Sequence, residues 1–151
     1  MSSRVPLEVK ELVVARARYR CEYCLSPMHC NPDQPSIEHI EPSSRGGSDA
    51  PSNLALSCQG CNSFKHVAVS AEDPSTGLEV RLFHSRTDRW AEHFAWSDDQ
   101  VSVIGRTPTG RATLSRLQLN RPGLLNQRRL LMLAGLHPPD IEPEKRRSNE
   151  N

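Results

Sequence analysis

Cys58-Gln59-Gly60-Cys61-Asn62-Ser63-Phe64-Lys65 puts two cysteines in one tight turn and follows them at once with residues suited to opening a helix. A matching pair, Cys21-Glu22-Tyr23-Cys24, stands upstream, with 33 residues between Cys24 and Cys58. Zinc favours four tetrahedral ligands, and each CxxC turn offers two thiolates. The spacing therefore predicts one structural zinc site of Cys21, Cys24, Cys58 and Cys61 that closes a long loop and contributes directly to folding. A redox dithiol at one pair would leave the other unexplained. The fifth cysteine, Cys30, follows His29 in a loop with no partner pair and receives no role.

Between the pairs, Leu25 to Ser36 reads as loop, because Pro27, Pro32 and Pro35 exclude regular structure. Ile37-Glu38-His39-Ile40 and Asn53-Leu54-Ala55-Leu56 read as two short antiparallel strands. The turn-rich segment from Pro42 to Pro51, with Arg45-Gly46-Gly47, joins them. A helix is expected from Asn62. Neighbours in a regular strand point to opposite faces, so Glu38 and His39 can share one substrate only if the strand ends or distorts there.

Upstream, Pro6 suits the first turn of a helix that runs to about Arg18, with Val9, Leu12, Val13 and Ala17 on its apolar stripe. Downstream, Asp73 to Gly77 is a turn. Val80 and Leu82 alternate, Trp90, Phe94 and Trp96 share the parity of one buried strand face, and Ser97 to Gln100 turns into Val101 and Val103. These predict a small antiparallel sheet. A helix with Arg111, Leu114, Arg116 and Leu117 follows, broken near Asn120-Arg121-Pro122, and a last helix carries Leu124, Leu125, Leu130, Leu131 and Leu133 toward Gly135. His84, His93 and His137 are scattered and read as structural or surface groups. The expected class is α+β, one domain over 1–142 with a core at about 19–70 and an extension over 78–137, then a disordered tail at 143–151.

The 151 residues include 36% apolar and 25% charged residues and 20 prolines and glycines together, which describes a loop-rich soluble chain. No apolar window is long enough to span a bilayer. Glu8, Lys10 and Glu11 interrupt any signal-peptide core, so a reducing cytoplasmic location is expected, where metal binding outweighs disulfides. Net charge is +1, yet Arg106, Arg111, Arg116, Arg121, Arg128 and Arg129 fall between Val101 and Ala134 without one Asp or Glu. Such a run would attract a polyanion. It would equally suit a solvated helical face.

The order CxxC, Glu38-His39-Ile40, Arg45-Gly46-Gly47, Asn53-Leu54, then Cys58-Gln59-Gly60-Cys61-Asn62 with Lys65 three residues on, resembles the zinc-bearing HNH endonuclease family over about residues 19–66. The resemblance implies a ββα-metal fold. It implies that His39 is the general base, that Glu38 and Asn62 ligate a catalytic Mg²⁺ or Mn²⁺, and that Asn53 orients the histidine or its loop. Asn62 stands at the third position of the family name, a common variant, and Glu38 where aspartate is more usual.

These residue types suit phosphodiester hydrolysis. Oxygen donors fit hard divalent ions that stabilise charge on phosphate, and a neutral imidazole can take a proton from attacking water. Lys65 and Arg45, with Arg111, Arg116 and Arg121, are the expected phosphate contacts on DNA, and double-stranded DNA is the expected partner. A homodimer would bring two active sites to one duplex. The leading expectation is a metal-dependent DNA endonuclease. The alternatives are a zinc-stabilised nucleic-acid binding module without cleavage and a protein-interaction domain.

Overall fold

The computed structural model describes residues 5–140; the tail expected at 143–151, and residues 1–4 and 141–142 of the expected domain, lie outside that range. Mixed helices and small antiparallel sheets make up the fold: five helices and three two-stranded sheets among the described residues. None of these helices is long and apolar enough to cross a membrane.

Helix α1 spans Leu7–Arg16, with Pro6 as its extended cap rather than within its first turn. Val13 is wholly buried while Leu7 and Leu12 face outward, so the stripe that seats α1 is narrower than its spacing suggests. Arg16 Nη2 donates to the carbonyls of Pro51 and Leu54, each at 2.6 Å, and ties the helix to the centre of the fold.

That centre is β1 (Ser36–His39) paired antiparallel with β2 (Leu54–Ser57), His39 opposite Leu54 and Glu38 opposite Ala55. The β1 strand ends at His39, yet Glu38 and His39 still diverge as neighbours in a strand do, Glu38 toward Lys65 and His39 toward Asp49. Ile40 N still donates to Asn53 O at 2.8 Å, so the pairing persists one step beyond the strand. Asn53 closes a short 3₁₀ turn over Pro51–Asn53 just before β2.

Helix α2 runs from Gln59 to Lys65 and thus begins three residues before the expected Asn62. The reason is a sulfur cap. Cys58 Sγ accepts from Cys61 N at 3.4 Å, as a serine or aspartate oxygen would at an N-cap, so the second cysteine pair forms the first helical turn.

The remainder departs from a single sheet. Strands β3 (Ser70–Glu72) and β4 (Glu79–Arg81) form one ribbon across the Asp73 turn, while β5 (Phe94–Trp96) and β6 (Val103–Gly105) form another. Trp90, Phe94 and Trp96 are not one strand face, because Trp90 opens the short helix α3 (Trp90–His93). A spacing of four suits a helical turn as well as strand parity, and the three rings still cluster, with centroids 5.1 and 5.2 Å apart.

Helix α4 (Pro108–Leu117) carries a Thr107 cap whose hydroxyl accepts from Gly110 N, and α5 (Pro122–Leu133) follows the break at Asn120-Arg121. Leu124 and Leu131 of α5 are buried, whereas Leu130 and Leu133 face outward.

Candidate functional site

The four cysteines converge. Sγ atoms of Cys21, Cys24, Cys58 and Cys61 all lie within 4.8 Å of one another, and all four residues are buried. A tetrahedron of Zn–S bonds near 2.3 Å has S···S edges of roughly 3.8 Å. The Cys24–Cys58 separation of 3.9 Å matches such an edge, and it is far beyond a disulfide bond. The donor set therefore fits a structural zinc ion.

Local chemistry builds both halves. In the first knuckle Leu25 takes a left-handed conformation, with φ of 62°, and its N–H donates to Cys21 O at 2.9 Å. Glu22 then sews the knuckle to β2: its N–H donates to Leu56 O at 2.9 Å and its Oε2 accepts from Leu56 N at 2.8 Å. In the second knuckle the Cys58 thiol is pulled well below its ordinary range because its thiolate accepts hydrogen bonds from Cys21, Cys24 and Cys61. Burial pushes the Cys21 thiol up. Metal binding would replace this proton sharing by four thiolates.

Beside the cysteines, β1 sends its last two side chains in different directions. Glu38 is 6% exposed and its Oε1 lies 2.7 Å from Lys65 Nζ, while Lys65 also donates to Ile40 O at 3.0 Å. The other carboxylate oxygen is buried and receives no hydrogen bond of ordinary geometry, although the Tyr23 hydroxyl lies close enough to favour ionisation. Burial raises the Glu38 carboxyl above its usual range, and Lys65 opposes that rise.

His39 is half-buried and faces the loop instead. Its Nε2 lies 2.7 Å from Asp49 Oδ1. Asn53, buried, fixes that loop with three bonds: Oδ1 accepts from Glu41 N at 2.8 Å, and Nδ2 donates to Glu41 O at 3.0 Å and Ser48 O at 2.8 Å. Gly47 is needed for this approach, because a Cβ there would collide with Glu41 O and sit 2.9 Å from Asn53 Nδ2. A groove of about 660 Å³ opens along this face, lined by His39, Ile37, Lys10, Tyr19 and Ser43.

Residues 21–68 match the family model for HNH endonuclease. This segment is an HNH domain. Neither curated proteins nor solved structures give a match to the chain. The HNH segment spans both knuckles, the β1–β2 hairpin and α2, and the candidate reactive groups of the sequence all fall inside it.

Within the HNH domain, His39 and Asn53 engage the same loop at adjacent residues, His39 at Asp49 and Asn53 at the Ser48 carbonyl. Glu38 and Lys65 form a second group on the α2 side, and Asn62 lies one helical turn before Lys65 on the same flank of α2. No side-chain hydrogen bond engages Asn62 among the described residues. Arg45 is exposed on the loop.

The other expected phosphate contacts are engaged with protein. Lys65 is 1% exposed. Arg111 makes a two-point contact with Asp73, at 2.9 and 2.8 Å, and Arg116 donates to the carbonyls of Phe64 and Lys65 at the end of α2. Arg121 points at the cysteines, and Arg128 is buried, donating to the carbonyls of Val101 and Leu119. The acid-free arginine run thus stitches the extension together and onto the HNH domain. Its partners are mostly backbone carbonyls, which sequence spacing does not advertise. Asp49 was equally hidden: an acid in a glycine-rich loop has no periodicity to mark it.

Proposed function

We propose that the chain is a metal-dependent endonuclease that hydrolyses DNA phosphodiester bonds, with His39 as general base and Glu38 and Asn62 holding one Mg²⁺ or Mn²⁺. The observation that carries this reading is the His39–Asp49 pair at the mouth of the groove inside an HNH domain. An ionised Asp49 can only accept, so the neutral imidazole donates from Nε2 and keeps its lone pair on Nδ1. Nδ1 is then the atom that takes the proton of the attacking water, and Asp49 stabilises the imidazolium that results. Asn53 holds the loop that carries Asp49, and so sets the ring indirectly.

The candidate ion site rests on Glu38, whose carboxylate chemistry fits a hard cation, with the Asn62 amide as a second oxygen donor. When bound, the ion supplies positive charge to the nonbridging and leaving oxygens of the phosphodiester. Lys65 neutralises part of the Glu38 charge and anchors it from the α2 side. Lys10 and the exposed Arg45 are the cations placed to meet substrate phosphate. Double-stranded DNA is the proposed substrate, and a homodimer would let two such sites act on opposite strands.

One observation favours the second reading, a zinc-stabilised nucleic-acid binding module without cleavage: Glu38 already has a cation in Lys65. Incubating the protein with supercoiled plasmid and Mg²⁺ or Mn²⁺ separates the two. Conversion to nicked or linear DNA, lost in His39→Ala, supports the nuclease. Retardation of the plasmid without conversion under every divalent ion tried supports the binding module.

A further inference from the structure

Arg121 stands where the two long pieces of the chain meet. Its Nη2 lies 3.5 Å from Cys58 Sγ and 3.7 Å from Cys61 Sγ, and its Nη1 lies 3.6 Å from Cys61 Sγ. The same Nη1 donates to the carbonyls of Leu117 at 3.0 Å and Gln118 at 3.2 Å, and the guanidinium carbon sits 5.5 Å from the centre of the Phe64 ring. Backbone on one side and an aromatic face on the other hold the fork in place. Gly60 gives it room, since a Cβ at that position would come within 2.5 Å of Nη2.

Four thiolates around Zn²⁺ leave a net charge of −2, carried on the sulfurs. A planar cation fixed against two of them, with N–H groups directed at sulfur, offsets half of that charge and withdraws electron density from the donors. Removing a hydrogen-bond partner of a metal ligand commonly costs about 10- to 100-fold in metal affinity. We infer that Arg121 is a positioning residue of the zinc site, reached from the extension 60 residues after Cys61, and that it sets how tightly the metal is kept. This rests on zinc occupying the four thiols. It also removes Arg121 from the set of substrate contacts.

The experiment compares wild type, Arg121→Gln and Arg121→Lys. Elemental analysis of desalted wild-type protein first tests the zinc reading: about one zinc per chain is expected, and none would overturn both that reading and the present one. Zinc transfer to a colorimetric chelator, at equal protein and fixed pH, is then timed for each folded variant. Arg121→Gln should release zinc at least about tenfold faster than wild type, with Arg121→Lys between them, because an ammonium keeps charge but loses the fork. Cobalt(II)-loaded protein gives a readout that mere loosening of the fold would not move. The sulfur-to-cobalt charge-transfer band should shift to longer wavelength when the N–H···S contacts are lost. Should circular dichroism show Arg121→Gln unfolded, Arg121→Lys decides the matter alone. Unchanged release and an unchanged band in the folded variants, with zinc present in wild type, would overturn the role of Arg121 while leaving the zinc site standing.

Discussion

At His39 the ring is held by a neighbour ten residues away in sequence and 2.7 Å away in space. His39→Ala should lower plasmid cleavage by at least about 100-fold, the usual scale for a general base, while DNA retardation and zinc content stay as in wild type. Asp49→Asn keeps the shape but removes a charge-assisted bond at an exposed position. Cleavage should fall about tenfold, read as kcat at saturating DNA, with an unchanged melting temperature. Asn53 is a different case, because its three bonds are buried. Asn53→Ala should cost about 2–3 kcal/mol in denaturant unfolding and reduce cleavage with it. Residue type and order mark His39, Glu38 and Asn62 as candidates in the sequence. They could not reveal Asp49, or that Lys65 turns inward to Glu38, since both depend on where a loop and a helix finally lie.

At the level of elements, the turn between β3 and β4 is bound to α4 through one carboxylate. Arg111 grips Asp73 at two points and, with hydrogen bonds from Ser75 N and Thr76 Oγ1, holds its carboxyl down to about 2 against an ordinary value of 3.8. A carboxyl depressed in the folded state contributes stability above its unfolded pKa and loses it as pH falls through the folded value. Wild type should therefore melt higher than Asp73→Asn at pH 7, and the gap should close between about pH 4 and pH 2. A gap that persists unchanged at pH 2 would mean the ion pair is not its source. Helices, hairpin and turns were legible here from caps and periodicity. The aromatic segment was not, because residues spaced by four and two serve a helix and a strand equally, and Trp90 belongs to one while Phe94 and Trp96 belong to the other.

For the whole molecule, the four clustered thiols and the arginine run are the two devices that join distant segments. Cys58→Ser should lose zinc, thermal stability and cleavage together, measured by elemental analysis, melting and the plasmid assay on one preparation. A folded, zinc-loaded but inactive Cys58→Ser protein would instead assign that sulfur a part in the reaction. The HNH segment was legible as a unit because its motifs are local and ordered. The extension was legible only as helices and turns, since its arginines bond to backbone at Val101, Leu119, Phe64 and Lys65, sites set by tertiary structure. The same wiring bears on biosynthesis. Cys21 and Cys24 leave the ribosome well before their partners. At roughly 5–20 residues per second, the first two thiols wait several seconds for Cys58 and Cys61, and Arg121 arrives later still. The newborn chain would therefore pass through a window in which its thiols are exposed to oxidants and stray metals, and the cell's reducing power and free zinc during translation would set the yield of correctly assembled protein.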